Sequence, residues 1–92
     1  MRVGTSTQQP SERLLYSIDY AEALPDGDLP LVATATTAPA TLTVEDPFTA
    51  DTRVRFWVSG GTAGVSYKVE LTVTTVVGRI FQDEVTIRVK EL

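Results

Sequence analysis

The C-terminal third of the chain alternates apolar and polar residues with a period of two. Residues 67–75 have the sequence Tyr-Lys-Val-Glu-Leu-Thr-Val-Thr-Thr, and the alternation resumes at 85–90 in Val-Thr-Ile-Arg-Val-Lys. This period, formed largely by β-branched residues, is typical of strands that bury one face and expose the other. The sequence therefore predicts a long C-terminal β-hairpin that turns at Gly78.

Shorter strand patterns precede the hairpin, and Pro, Gly or Asp residues separate them. They occupy residues 13–19, 31–37, 41–45 and 52–59, and the intervening segment 25–30 combines Pro with Asp-Gly, as turns do. Six to seven strands at this spacing, without a helical pattern, predict an all-β fold, an immunoglobulin- or fibronectin-like antiparallel β-sandwich. Tyr67 has the position at which such sandwiches place a tyrosine whose hydroxyl bonds a nearby backbone group.

At 92 residues the chain is large enough for a single core. Residues 1–11 are polar and are predicted to form a flexible N-terminal arm, which leaves residues 12–92 as one sandwich domain. Strict alternation would place the Asp83 carboxylate inside, so we expect a bulge near residues 82–84 to turn it outward. The predicted core residues are Tyr16, Ile18, Val32, Leu42, Val44, Phe56, Val58, Tyr67, Val69, Leu71, Val73, Phe81, Val85, Ile87 and Val89.

The chain contains no histidine and no cysteine. Ser-His-Asp and Cys-His catalytic sets, and zinc sites that need these residues, are therefore impossible within one chain. The glycine-rich segment 60–64 lacks the Gly-Lys-Ser/Thr ending of a phosphate-binding loop. The acidic segment around Asp26 and Asp28 does not have the spacing of an EF-hand loop. We therefore predict a protein that is not an enzyme and that has no cofactor and no metal site.

Charge and hydropathy argue against nucleic acid and against a membrane span. The net charge is −4, and the few basic residues are dispersed, which argues against nucleic acid. No apolar run approaches the length of a transmembrane helix, and the first ten residues lack the pattern of a signal peptide. The absence of cysteine favours the cytoplasm or an assembled particle.

The strand pattern at residues 52–59 suggests an interface. Apolar residues alternate there with Arg53, Arg55 and Trp57. If the apolar residues face the core, these three lie on the outer face, and Arg and Trp are enriched in binding hot spots. Alternatively, Trp57 caps the core in a strand register shifted by one residue, because tryptophan is usually largely buried. The candidate interface residues are Arg53, Arg55, Trp57, Asp26 and Asp28.

Several segments resemble a family of small proteins encoded by tailed phages and prophages. The most distinctive are Leu-Pro-Asp-Gly-Asp at 24–28 and Trp-Val-Ser-Gly-Gly at 57–61, followed by Tyr-Lys-Val at 67–69 and Ile-Arg-Val-Lys-Glu at 87–91. Over roughly residues 12–91 the chain is similar to proteins described as fiber-tail adaptors or tail-associated structural proteins. The sequence departs from that family in two places: Val76-Val77-Gly78 replaces a small or glycine-containing turn, and Pro30 and Pro39 interrupt the second strand region.

The resemblance implies a non-enzymatic component of the virion that is assembled in the host cytoplasm. It implies an adaptor in the tail or neck connection to the fiber, present as a homo-oligomer, with other tail, neck or fiber proteins as partners. The residues leave two alternatives open. One is a small module that binds carbohydrate or a surface partner, with or without calcium, using Trp57 and Tyr20 as aromatic platforms. The other is an inhibitor or immunity-type partner of an enzyme.

Overall fold

The protein is an all-β structure, as predicted, in a computed structural model that describes residues 2–91. This part of the chain forms eight strands rather than six to seven. None of its elements is a helix that is long and apolar enough to cross a membrane. The strands are β1 (Arg2–Gln8), β2 (Arg13–Asp19), β3 (Pro30–Ala38), β4 (Leu42–Val44), β5 (Phe48–Ala50), β6 (Arg53–Gly60), β7 (Ser66–Thr75) and β8 (Ile80–Val89).

The strands form two sheets that pack face to face. The first sheet has the order β1-β8-β7-β3, and the second has the order β2-β6-β4, with β5 also paired to β6. Because β2 occupies one side of β6, β4 and β5 lie one after the other along its opposite side. The described pairs are antiparallel except β1 with β8, which is parallel. We interpret this strand order as immunoglobulin-like.

The core lies between the sheets, at alternating positions of β6, β7 and β8. Phe56 and Val58 on β6 are fully buried, as predicted. Because successive side chains of a strand point to opposite faces, Trp57 lies on the outer face of the second sheet. The alternative in which Trp57 caps the core is therefore wrong. The buried apolar residues are Tyr20, Leu42, Val54, Phe56, Val58, Tyr67, Val69, Leu71, Val73, Val85, Ile87 and Val89.

Among the other predicted core residues, Tyr16, Ile18, Val44 and Phe81 are partly buried and pack against the core. Val32 is 54% exposed, so its prediction as a core residue is wrong. A shift in the β3 register between Pro30 and Val32 explains the error, because Ala33 and Ala35 then face the core instead. The predicted bond of Tyr67 is confirmed, since its hydroxyl accepts the Thr62 N–H at 2.8 Å.

The segment predicted to be a flexible arm lies mostly in the first sheet, where Arg2–Gln8 forms β1 beside β8. The Gln8 side chain is buried and explains this placement. Its amide nitrogen donates to the carbonyls of Val58 at 2.8 Å and Glu12 at 2.9 Å, and its oxygen accepts the Tyr16 hydroxyl at 2.8 Å. Gln8 therefore links β1 to the second sheet. Met1 is outside the described residues.

Asp83 points into the core, and the predicted bulge near residues 82–84 is absent from the β7–β8 pair. Asp83 faces Leu71 in an unbroken register and is 3% exposed. The register shift in this region lies instead on β1, between Arg2 and Gly4. The Tyr20 hydroxyl donates to one oxygen of Asp83, while the other has no partner among the described residues. Burial, and then the bond to Asp83, raises the pKa of Tyr20, so this hydroxyl stays a donor.

Replacing Tyr20→Phe is expected to lower the free energy of unfolding by about 1–3 kcal/mol, because the buried Asp83 carboxylate loses its hydroxyl donor. In an Asp83→Val background, Tyr20→Phe should lower the free energy of unfolding much less, since no carboxylate is left unpaired. Urea unfolding followed by the fluorescence of Trp57 measures both costs. An equal cost in the two backgrounds would show that the hydroxyl contributes nothing through Asp83.

Candidate protein interface

The outer face of the second sheet brings together the interface residues predicted on β6. Trp57 is paired with Leu15 of β2, and Arg55 is paired with Phe48 of β5. Residues directly opposite each other on paired strands share a face of the sheet. Arg53, Arg55 and Trp57 therefore lie together with two exposed apolar side chains, Leu15 and Phe48. We call these five residues the contact face.

One arginine side chain, that of Arg13, stacks on the Trp57 ring. The Arg13 guanidinium carbon lies 4.0 Å from the ring centroid, a cation–π contact. The same guanidinium binds both carboxylate oxygens of Glu45, at 2.8 and 3.1 Å. That hydrogen bond, reinforced by charge attraction, holds the pKa of Glu45 below its ordinary value. Both side chains are about half exposed, and ion pairs at such positions add little stability.

Arg13, Leu15 and Phe48 were not among the residues predicted for this interface. Leu15 and Phe48 lie on strands other than β6, and only the pairing register brings them beside Trp57. Arg13 and Glu45 are 32 residues apart in the sequence. A periodic pattern within one strand indicates which residues share a face, but it does not indicate which strand will be the neighbour.

The two acidic residues of the 25–30 segment differ in their surroundings. Asp26 is exposed, whereas the Asp28 side chain is only 1% exposed. One Asp28 oxygen accepts the N–H of Leu29 at 3.0 Å and that of Val77 at 3.1 Å. The other oxygen forms an ion pair with Arg79 at 2.9 Å. The Asp28 side chain therefore fastens its own loop to the β7–β8 turn, and its place among the candidate interface residues stays a prediction.

The ionisation of Asp28 strengthens this link. Burial alone would raise the pKa of Asp28. Hydrogen bonds from the Thr75 hydroxyl, the Val77 N–H and the Arg79 guanidinium outweigh that effect and hold its pKa below the ordinary value. The charged form is therefore favoured in the folded state, and it joins the two loops at neutral pH.

The link joins two apolar segments at one end of the sandwich. The Val76 N–H donates to the Leu29 carbonyl at 2.9 Å, and Val32 and Ile80 are both paired with Thr74. Six large apolar side chains are between 45% and 67% exposed there. We call them the apolar end: Leu29, Leu31, Val32, Val76, Val77 and Ile80.

The apolar end was not predicted as a binding surface. Soluble monomers rarely expose large contiguous apolar patches, so such a patch indicates an interaction site. The sequence does contain one signal of it, since Val76 and Val77 occupy a turn, where polar residues are usual.

Within residues 2–91, no group of three or more Asp or Glu side chains is placed to hold a metal ion. The surface depression beside Trp57 is open to solvent, and Arg13, Glu45 and Phe48 are among its lining residues. The described surface presents two patches, the contact face with its aromatic side chains and the aliphatic apolar end.

Replacing Asp28→Asn is expected to lower the melting temperature by several degrees at pH 7 and by much less at acidic pH. Because the folded-state pKa of Asp28 is depressed, its contribution is present above the unfolded-state pKa, near 3.9. It is lost as the pH falls through the lower folded-state value. Melting curves from pH 7 to pH 2.5 measure the gap between the variant and the wild-type protein, with Asp26→Asn, an exposed acid in the same loop, as the control. A gap that stays constant over this range would contradict the ionic link.

Comparison with known proteins agrees with the resemblance found in the sequence. A family model described as podophage GP4 fiber-tail adaptor protein gp77 matches residues 8–88. The match extends from the buried Gln8 into β8, ending one residue before Val89, and so includes both the contact face and the apolar end. No individual curated protein matches the chain. The chain therefore belongs to the podophage GP4 fiber-tail adaptor protein gp77 family.

Proposed function

We propose that this protein joins tail and fiber proteins of the virion through direct protein–protein contacts at two surfaces, the contact face and the apolar end. The family is one of structural phage adaptors, which is not an enzyme class. The adaptor is assembled with its partners in the host cytoplasm and acts in several copies. Its mechanism is geometric, because a rigid sandwich holds two binding surfaces at a constant separation and angle.

The apolar end is the observation that carries the proposal. Its six side chains remain between 45% and 67% exposed, although the loops beneath them are held in place by the buried Asp28. Removal of apolar surface from water is the dominant driving force of most protein–protein association. A preorganised surface also loses little conformational entropy when a partner binds. This end of the sandwich is therefore suited to a stable contact with an apolar surface of another protein.

The contact face supplies the second surface. Trp57 and the arginines beside it are residue types that dominate binding energy in interfaces. The contact face belongs to the second sheet, whereas Val32 and Ile80 of the apolar end lie on the outer face of the first sheet. Two partners can therefore bind at the same time, which an adaptor requires.

The carbohydrate-binding alternative has less support. Of its two aromatic platform candidates, Tyr20 is buried and its hydroxyl is bonded to Asp83. Trp57 remains at the surface, where Arg13 stacks on its ring. A sugar platform would need an open aromatic face, so the geometry favours a protein partner.

Binding measurements with purified tail and fiber proteins of the same phage test the proposal. Trp57→Ala is expected to weaken binding to one partner by about 30-fold or more, as hot-spot residues do. Ile80→Glu should weaken binding to the other partner, because a charge is then placed in the apolar end. Each variant should leave the other contact intact.

The matched controls are Thr34→Ala and Thr34→Glu, at an exposed position on the outer face of the first sheet. These controls introduce the same two residues, alanine and glutamate, outside both surfaces. Both control proteins are expected to bind the partners like the wild-type protein. If Trp57→Ala and Ile80→Glu are folded and bind both partners normally, the proposed surfaces are wrong.

A further inference from the structure

The edges of the two sheets differ in how they are protected against pairing with another chain. Natural proteins block sheet edges with bulges, prolines and short strands. Among the described residues, β1 has a register shift between Arg2 and Gly4, and β3 begins with Pro30 followed by another shift. The opposite edge of the second sheet consists of two three-residue strands with Pro47 between them. These three edges are poor templates for an added strand.

The edge formed by β2 has none of these devices. Its seven residues contain no proline, glycine or lysine and pair with β6 in an unbroken register. Leu14 and Leu15 point to opposite faces of the strand, yet they are 37% and 39% exposed. Leu14 is on the core side and remains exposed because, within residues 2–91, no strand lies beyond β2. The strand itself is anchored, since the Tyr16 hydroxyl donates to Gln8.

The sequence of β2 is complementary to itself. When two copies of Arg13–Asp19 run antiparallel and are centred on Tyr16, Arg13 of each copy lies opposite Asp19 of the other. Leu14 then lies opposite Ile18 on the core side, so apolar residues meet apolar residues. Cross-strand pairs of opposite charge and of apolar side chains both stabilise antiparallel sheets. The Arg13 and Asp19 side chains are about half exposed and can accept a second ion pair.

We propose that β2 pairs with β2 of a second copy in this register, which gives a two-fold symmetric dimer. Such a contact is isologous, because the same patch is used on both subunits. It joins the second sheets of the two copies into one continuous sheet and places both contact faces on the same side of it. The proposal depends on the β2 edge alone, so it can fail while the adaptor function stands, and the reverse is also true.

Exchanging the two charges tests the pairing. Arg13→Asp or Asp19→Arg alone places like charges opposite each other twice in every dimer, and each should raise the dissociation constant of the dimer by about tenfold or more. The double variant restores opposite charges and should restore the dimer. Within one copy, Glu45 and Arg53 are unchanged, so the double variant gains no ion pair there and its rescue can come only from the second copy. Sedimentation velocity over a range of concentrations measures the dissociation constants, with Lys68→Glu on the other sheet as the control.

A cross-linking experiment tests the register without changing a charge. The chain has no cysteine, so introduced thiols react without background. In the proposed dimer, Leu15 of one copy lies opposite Ser17 of the other, at a Cα separation of about 4.5–5.5 Å, which suits a disulfide. A mixture of Leu15→Cys and Ser17→Cys proteins should therefore cross-link faster than either protein alone. A wild-type protein that stays monomeric at all concentrations, a double variant that is not rescued, or equal cross-linking in the mixture and the single proteins would overturn the proposal.

Discussion

The alternation of side chains along β6 is the constraint on which the rest of the structure depends. With Phe56 and Val58 buried, Trp57 and the two arginines must lie on the outer face. A shift of one residue would exchange the two sets and remove both the core of the second sheet and the contact face. β6 also pairs with β2 on one side and with β4 and β5 on the other. The register of one strand therefore determines the core, the contact face and the free edge at β2.

Three buried polar side chains add specific hydrogen bonds between parts of the sandwich. Gln8 links β1 to the second sheet through the Val58 carbonyl, and Asp28 fastens one loop to the β7–β8 turn. Asp83 accepts the Tyr20 hydroxyl between the two layers. Buried polar groups are costly when unpaired, so each of them strongly favours the one arrangement that supplies its partners. Asp28 holds the apolar end in place, because its carboxylate accepts the N–H groups of Leu29 and Val77.

The sequence predicted the elements with a regular period, including β6, the long hairpin and most of the core. The prediction failed where the backbone departs from that period. The register shift beside Pro30 turned Val32 outward. The polar composition of residues 1–11 gave no sign of β1, which Gln8 links to the second sheet. The sequence prediction also failed for side chains whose bonding partner is far away in the chain. Asp28 and Arg79 are 51 residues apart, so nothing local to Asp28 distinguishes it from the exposed Asp26.

The most direct test of the proposed adaptor function is hydroxyl-radical footprinting of the protein, free and assembled with its tail and fiber partners. Side-chain oxidation measures solvent access at individual residues, and both proposed surfaces contain reactive side chains. Trp57 and the side chains of the apolar end should be modified readily in the free protein and should be strongly protected in the assembly. Protection confined to other surfaces, such as the threonine-rich outer face of the first sheet, with Trp57 and Ile80 still reactive, would contradict it.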